Sequence, residues 1–368
     1  MSKNKLITFI TPSLGPGGIE KIVSTLSNYL AKEKSFNVNI ICFSKKEIFY
    51  TLDNSVKVFT LPSSSFKGIT LFMKLIKLRQ LLKKMKPQCM ISFGSMYNSF
   101  FLLASLGLPG KKLVSDRSNP WRNSKLVIKG NNSERHDGFH HYLLKQLLYP
   151  KAHKILAQTQ LSLQIEQRNF GFKKVLYFPN PVQPVTNITT EKEKIILNVG
   201  RFVSSKRQKD LICIFSKIPY AQRRYWKLVF IGGGENYYRE SKELANNLGI
   251  FKDVDFLGYI NNVDEWYNKA AIFAFTSSSE GFPNALAEAM SYGCACISYN
   301  CVAGPEDLID HNNNGLLIPV GNKIMFKQEL TRLIQNDNLR ENFQQRARSI
   351  TDNYKIETIA QKLIDEII

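Results

Sequence analysis

No acidic residue occurs between Asn54 and Ser115, although ten basic ones do. That absence excludes a charge-balanced surface over this stretch. It fits either a generally basic, soluble face or a face that meets an anion such as nucleic acid, a membrane or a phosphorylated substrate. No run of about 18 uninterrupted apolar residues appears, which argues against a membrane-spanning helix. The opening "MSKNKLITFITPSLGPGG" has neither the apolar length nor the cleavage site of a signal peptide. Six cysteines are scattered without metal-ligand spacing, Cys294 and Cys296 being the nearest pair. This argues against a zinc site and a disulfide frame and for reduced thiols in the cytosol. Short-period repeats and low-complexity tracts are also missing.

What is present is a chain of 368 residues with 43% hydrophobic content, enough for two packed cores and too apolar for disorder. Its formal charge of +20 is unevenly placed: residues 1–183 hold 28 Lys and Arg against 8 Asp and Glu, residues 184–368 hold 22 of each. The excess lies wholly in the first half.

Short β-rich runs alternate with helix-length amphipathic segments, the pattern of parallel α/β architecture. In the first half the strands are "LITFIT", "NVNIICF", "VKVFTL", "QCMISFG", "KLVSDR" and "KILAQT"; in the second they are "IILNVG", "WKLVFIG", "VDFLGY", "AIFAFTS" and "CACISYN". A Pro- and Thr-rich stretch of low apolar content predicts a linker over 184–194, dividing a domain of residues 1–183 from one of 195–345. The expectation is two Rossmann-like, doubly wound domains, with ligands held between them at the carboxyl ends of the strands.

Motifs gather after those strands. Gly15, Gly17 and Gly18 precede an amphipathic helix; they suit close approach of a phosphate, and equally a tight turn. The spacing is not G-x-G-x-x-G and no acidic residue ends the second strand, which disfavours a dinucleotide. Arg201 and Lys206 leave the strand "IILNVG" as a clamp for a diphosphate or as surface charge. In "SSSEGFPNALAEAMSYG", Pro283 suits a first helical position, offering free N–H groups to an anion between Glu280 and Glu288. The eight-residue step would span roughly 12 Å if helical throughout, comparable to the reach from sugar to ribose in a nucleotide sugar. Ordinary helix-end and solvated carboxylates fit the same spacing.

Three other features read as structural. Asp253 and Asp255 form a D-x-D outside any metal-binding context. His136, His140 and His141 cluster near Glu134 and Asp137 without zinc spacing. In "KGITLFMKLIKLRQLLKKMKP", Leu71, Leu75, Leu78, Leu82 and Met85 form one helical stripe flanked by Lys74, Lys77, Lys83 and Lys84, suited to packing on a sheet, with lysines left to face an anionic leaflet.

Taken in order, "GGIE", "GRFVSSK", "EGFPNALAEAMSYG" and "AGPEDLI…NNNGLLIPV" resemble the retaining glycosyltransferases of family four, which have the GT-B fold. The resemblance covers nearly the whole chain. It implies an acceptor-side first domain, a nucleotide-sugar-binding second domain and a terminal helix, residues 346–368, packing back toward the first. It places Gly17 and Gly18 near the donor diphosphate, Arg201 and Lys206 on it, Glu280 at the donor sugar and the backbone of Gly281, Phe282, Asn284 and Ala285 around sugar and phosphate. Glu288 falls at the ribose, and Tyr259, in "FLGYI", near the base. Many members have histidine where this chain has Arg117. Arg cannot act as a general base at neutral pH but can donate to phosphate or sugar. The implied function is metal-independent, cofactor-free, retaining transfer of a hexose or N-acetylhexosamine from a nucleotide-diphosphate sugar, UDP-linked, to a glycan acceptor on a lipid in surface polysaccharide or lipopolysaccharide synthesis. The protein would be cytoplasmic and peripheral to the anionic inner face of the membrane, and would not bind nucleic acid. Rival readings are a glycoside phosphorylase or sugar-phosphate synthase on the same fold, and a basic nucleic-acid binder.

Overall fold

A computed structural model describes residues 5–33, 36–62, 67–120, 139–183, 185, 188 and 191–367. The chain forms two units, Met1–Pro181 with Ile356–Ile368, and Val182–Lys355.

The first unit runs β1 (Leu6–Thr11), α1 (Gly18–Glu33), β2 (Asn37–Cys42), β3 (Lys57–Thr60), α2 (Lys67–Met85), β4 (Cys89–Phe93), α3 (Ser95–Ala104), β5 (Lys111–Ser115), α4 (Phe139–Leu148), β6 (Lys154–Ala157), α5 (Gln160–Phe170) and β7 (Val175–Tyr177). Its strands are all parallel, in the order β3-β2-β1-β4-β5-β6-β7. Central strands are buried on both faces, which is why they read as continuous apolar runs such as "CMISF". Right-handed crossovers then put α1 on one face and α2 to α5 on the other. On the second face Leu78 and Leu82 of α2 and Phe101 and Leu102 of α3 are buried against the sheet. The stripe expected on α2 is therefore its inner side. Residues 134, 136 and 137 and the side chain of His140 lie outside the described residues. The described His141 has its Nε2 3.4 Å from Ser95 Oγ.

The second unit runs β8 (Glu193–Val199), α6 (Gln208–Ser216), α7 (Tyr220–Arg223), β9 (Lys227–Ile231), α8 (Asn236–Asn247), β10 (Val254–Phe256), α9 (Val263–Lys269), β11 (Ala270–Phe275), α10 (Asn284–Ser291), β12 (Ala295–Tyr299), α11 (Pro305–Leu308), β13 (Gly315–Ile318), α12 (Lys323–Gln335), α13 (Asp337–Ala347) and α14 (Ile350–Asn353). The sheet order is β10-β9-β8-β11-β12-β13, again parallel. Asn322 and Asn336 start α12 and α13 by accepting from the N–H groups of Met325 and Leu339, as N-caps do.

The divisions differ in detail from those read in the sequence. β8 begins inside the stretch expected to be linker, and Val182 is already buried in the second core, its N–H donating to Tyr354 O (2.8 Å). The return to the first unit comes at Ile356 and not at 346, because Ala347, Ile350 and Tyr354 are buried in the second core. From there α15 (Ile356–Ile367) packs on α1 and buries Ile359, Ala360, Leu363, Ile364 and Ile367. Leu363→Ala should cost about 2 to 5 kcal/mol. Calorimetry should show it lowering the unfolding transition of the first unit while leaving that of Val182–Lys355 in place.

Candidate active site

In an open parallel sheet, ligands bind beyond the carboxyl ends of the strands where the strand order reverses. In the second unit that point lies between β8 and β11, and the two loops leaving it are bonded together. Ser278 N donates to Ser205 O (2.8 Å) and Thr276 Oγ1 to Lys206 O (2.9 Å). Lys206 Nζ consequently meets Glu280 Oε1 at 2.5 Å, with the two side chains 23% and 11% exposed. The ammonium also lies 5.5 Å from the Phe275 ring centroid. A cation in this position can neutralise a phosphate while orienting the carboxylate.

Glu280 precedes Gly281, Phe282 and Pro283, and α10 starts at Asn284. The helical rise thus applies only from Asn284, and the step from Glu280 to Glu288 is not helical throughout. Pro283 is the N-cap, whose carbonyl accepts from the N–H groups of Leu286 and Ala287. Its ring packs so tightly on Gly304 (φ 109°) that a Cβ there would strike it. Phe282 is buried 6.0 Å from the Tyr354 ring, while Asn284 and Ala285 are half-buried at the helix start. At the other end of this stretch, the buried Tyr267 donates from its hydroxyl to Glu288 Oε2 (3.1 Å). Burial, reinforced by the Glu288 carboxylate, pushes the Tyr267 phenol well above its ordinary pKa, so it remains a donor.

Arg201 is exposed immediately after β8, and the loop after β9 crosses beside it. Three consecutive glycines, Gly232, Gly233 and Gly234, make that crossing possible. At Gly232 (φ 128°) a Cβ would collide with Gly200 O, and at Gly233 one would collide with the Tyr259 ring. Phe202 N donates to Gly233 O (2.8 Å), and the Tyr259 hydroxyl lies 3.4 Å from the same oxygen, with Tyr259 71% exposed. Sequence reading passed over this glycine run; its position directly after a strand was the available signal. Arg201, Lys206, Tyr259, Glu280 and Gly281 to Glu288 are thus set on neighbouring loops of one unit. Asp253 and Asp255 are not among them: they pair with Arg223 and Lys227.

Gly17, Gly18 and Arg117 belong to the first unit. Gly18 opens α1, and a Cβ on Gly17 would strike the Glu20 carboxylate, which accepts from Ser13 Oγ (3.1 Å). A side chain at position 17 would therefore displace the Glu20 carboxylate from Ser13. Arg117 follows β5 in a left-handed conformation (φ 56°), its guanidinium 5.2 and 5.4 Å from the Phe93 and Phe178 ring centroids. One amino group donates to Asn180 Oδ1, while Nε and Nη2 are buried without a hydrogen-bond partner among the described residues. Burial lowers the Arg117 pKa to about 9, which leaves it protonated at neutral pH and a donor only.

The backbone strain at Arg117 is held by a buried ionic network on the preceding residue. Lys145 Nζ donates to Asp116 Oδ2 (2.6 Å) and Glu166 Oε1 (2.5 Å), and Asp116 also accepts from Asn98 Nδ2 (3.1 Å) and the Tyr149 hydroxyl. Burial alone would raise both carboxyls. Lys145 and the hydrogen bonds override it at Asp116, whose pKa is lowered, whereas Glu166 stays raised.

Two doubly wound units, the second with charged loops at its switch point, place the molecule in the GT-B class of glycosyltransferase folds. Residues 183–350 match the family model for glycosyl transferases group 1, and this match together with the relatives below supports a glycosyltransferase of the GT-B type. It is 29% identical to the GalNAc-alpha-(1->4)-GalNAc-alpha-(1->3)-diNAcBac-PP-undecaprenol alpha-1,4-N-acetyl-D-galactosaminyltransferase of Campylobacter jejuni, covering 98% of each chain. Identity to the amylovoran biosynthesis glycosyltransferase AmsD of Erwinia amylovora is 25%, covering 98% of this chain and 99% of that one. Among solved structures, the lipopolysaccharide outer core galactosyltransferase WaaB superposes with a TM-score of 0.72 at 22% identity, covering 98% of each chain.

Lys145→Met should strand two buried carboxylates at a cost of about 3 to 5 kcal/mol. With both carboxyl pKa values then raised by burial, the loss should shrink as pH falls from neutral through those values. Urea unfolding of wild type and variant across pH checks the sign.

Proposed function

We propose that this glycosyltransferase transfers a hexose or N-acetylhexosamine, with retention and without a metal or other cofactor, from a UDP-linked sugar to a glycan carried on a lipid. The observation that carries the reading is the Lys206–Glu280 contact beside the start of α10. In it a cation fit for pyrophosphate is joined to a carboxylate fit for sugar hydroxyls. Arg201 adds a second cation, with its bidentate fork. Backbone N–H groups of Gly281, Phe282 and Ala285 donate to phosphate and sugar oxygens, Asn284 directing its own to Phe282 O; Glu288 binds the ribose and Tyr259 lies along the base. Gly17 and Gly18 border the diphosphate. Arg117 acts as a charged donor to a phosphate or sugar oxygen and never as a base. Acceptor attack occurs on the face from which the diphosphate departs, and an oxygen of that leaving group takes the acceptor proton. The Campylobacter relative, whose name specifies an undecaprenol diphosphate glycan, supports a lipid-borne acceptor. Residues 1–183 hold 28 basic against 8 acidic side chains, which supports an anionic acceptor and peripheral attachment at the cytoplasmic face of the membrane.

Thermal shift against a panel of nucleotide sugars tests the donor site. A UDP-sugar at a hundredfold excess over its Kd should stabilise the protein by about 2.7 kcal/mol. In Arg201→Ala or Glu288→Ala a tenfold weaker affinity should remove about 1.4 kcal/mol of that gain. No response to any nucleotide sugar, or an equal response in the variants, overturns the assignment. Transfer should proceed undiminished in EDTA, and NMR of the product should show the donor's anomeric configuration.

A further inference from the structure

Helices α2, α3 and α4 lie side by side on one face of the first sheet, and their outer sides are apolar. On α2, Phe72, Met73 and Ile76 are 66%, 41% and 43% exposed; on α3, Met96 and Leu103 are 50% and 44% exposed; on α4, Leu147 is 69% exposed. Helices that face water on one side normally turn polar residues toward it. Here the apolar inner stripe of α2 is matched by an apolar outer one, continued over its neighbours, and such a surface marks an interaction site. None of the three helices contains Asp or Glu, and the exposed Lys77, Lys83 and Lys84 flank the apolar residues.

That charge pattern decides between occupants. A second copy of the chain seated on this face would bring cation against cation with no carboxylate on any of the three helices to compensate. An anionic bilayer accommodates both features, since the apolar side chains enter the acyl boundary while lysine stems let their ammonium groups reach the headgroups. Among the described residues no helix is long and apolar enough to cross a membrane, so contact would be from one side.

We propose that the outer face of α2, α3 and α4 is seated on an anionic lipid bilayer, with Phe72, Met73, Ile76, Met96, Leu103 and Leu147 inserted below the headgroups. This deepens the peripheral-membrane part of the proposed function, and because it concerns only the first unit its test needs no sugar donor. Insertion differs from charge attraction in its salt response: counterions screen lysines but do not weaken burial in acyl chains.

The experiment is flotation of the full chain with vesicles of equal parts phosphatidylglycerol and phosphatidylcholine, and with phosphatidylcholine alone, at low and physiological salt. Wild type should float with the anionic vesicles, weaken as salt rises and remain bound at physiological salt, with little binding to phosphatidylcholine. The triple variant Phe72→Ser, Ile76→Ser and Leu147→Ser should lose about tenfold or more in vesicle affinity at both salts. Ile324→Ser, at a position 72% exposed in the second unit, should lose none. Circular dichroism confirms that each variant is folded. Failure of wild type to float, an unaffected triple variant, or binding abolished at physiological salt overturns the proposal. So does a dimer that the triple variant dissociates, which assigns the face to a second copy. A chain that floats but binds no nucleotide sugar leaves this proposal standing and overturns the donor-site reading instead.

Discussion

The part of the candidate donor site that lies in the second unit depends on β8 and β11 ending beside each other.

 Thr276 and Glu280, which the two loops bring to Lys206, stand 70 and 74 positions further along the chain. Parallel pairing closes that gap. Ile196 and Leu197 of β8 sit opposite Ile272 and Phe273 of β11, so the following loops leave the same edge of the sheet and bond to each other. An ammonium and a carboxylate drawn into half-buried positions there have each other as partner, which holds both in place ahead of any ligand.

The first unit handles its charges differently. Lys145, Asp116 and Glu166 are packed inside and bonded through the Lys145 ammonium, and the residue they steady, Arg117, has two buried guanidinium nitrogens without a hydrogen-bond partner among the described residues. A left-handed backbone at an arginine is costly and persists only where its surroundings over-determine it. The closed network provides that rigidity, and the two phenylalanine rings fix the plane in which the guanidinium can donate.

Most of the architecture was legible in the sequence because doubly wound strands are buried on both faces and announce themselves as apolar runs. The two strands passed over, β7 and β13, are short and lie at sheet edges; β3 and β10 are equally short and also lie at edges, but they were read as part of the longer runs "VKVFTL" and "VDFLGY". The site was legible as a set of types and positions: Arg201, Lys206, Glu280 and Glu288 all follow strands or open a helix. Their partners were not. Nothing in the spacing ties Lys206 to Glu280 or Tyr267 to Glu288, since both contacts arise from sheet order. Likewise, a helical stripe in α2 signals which side packs inward, but the outer Phe72 and Ile76 stand out only once their exposure is known.

The position of α15 has a consequence for biosynthesis. Because the whole of Val182–Lys355 is threaded between two parts of the first unit, the ribosome finishes that insert before it delivers the helix that covers α1. The earlier-made half therefore waits, with α1 lacking the packing of α15, until the later-made half has emerged. Completion of the first core is in this way timed by synthesis of the second.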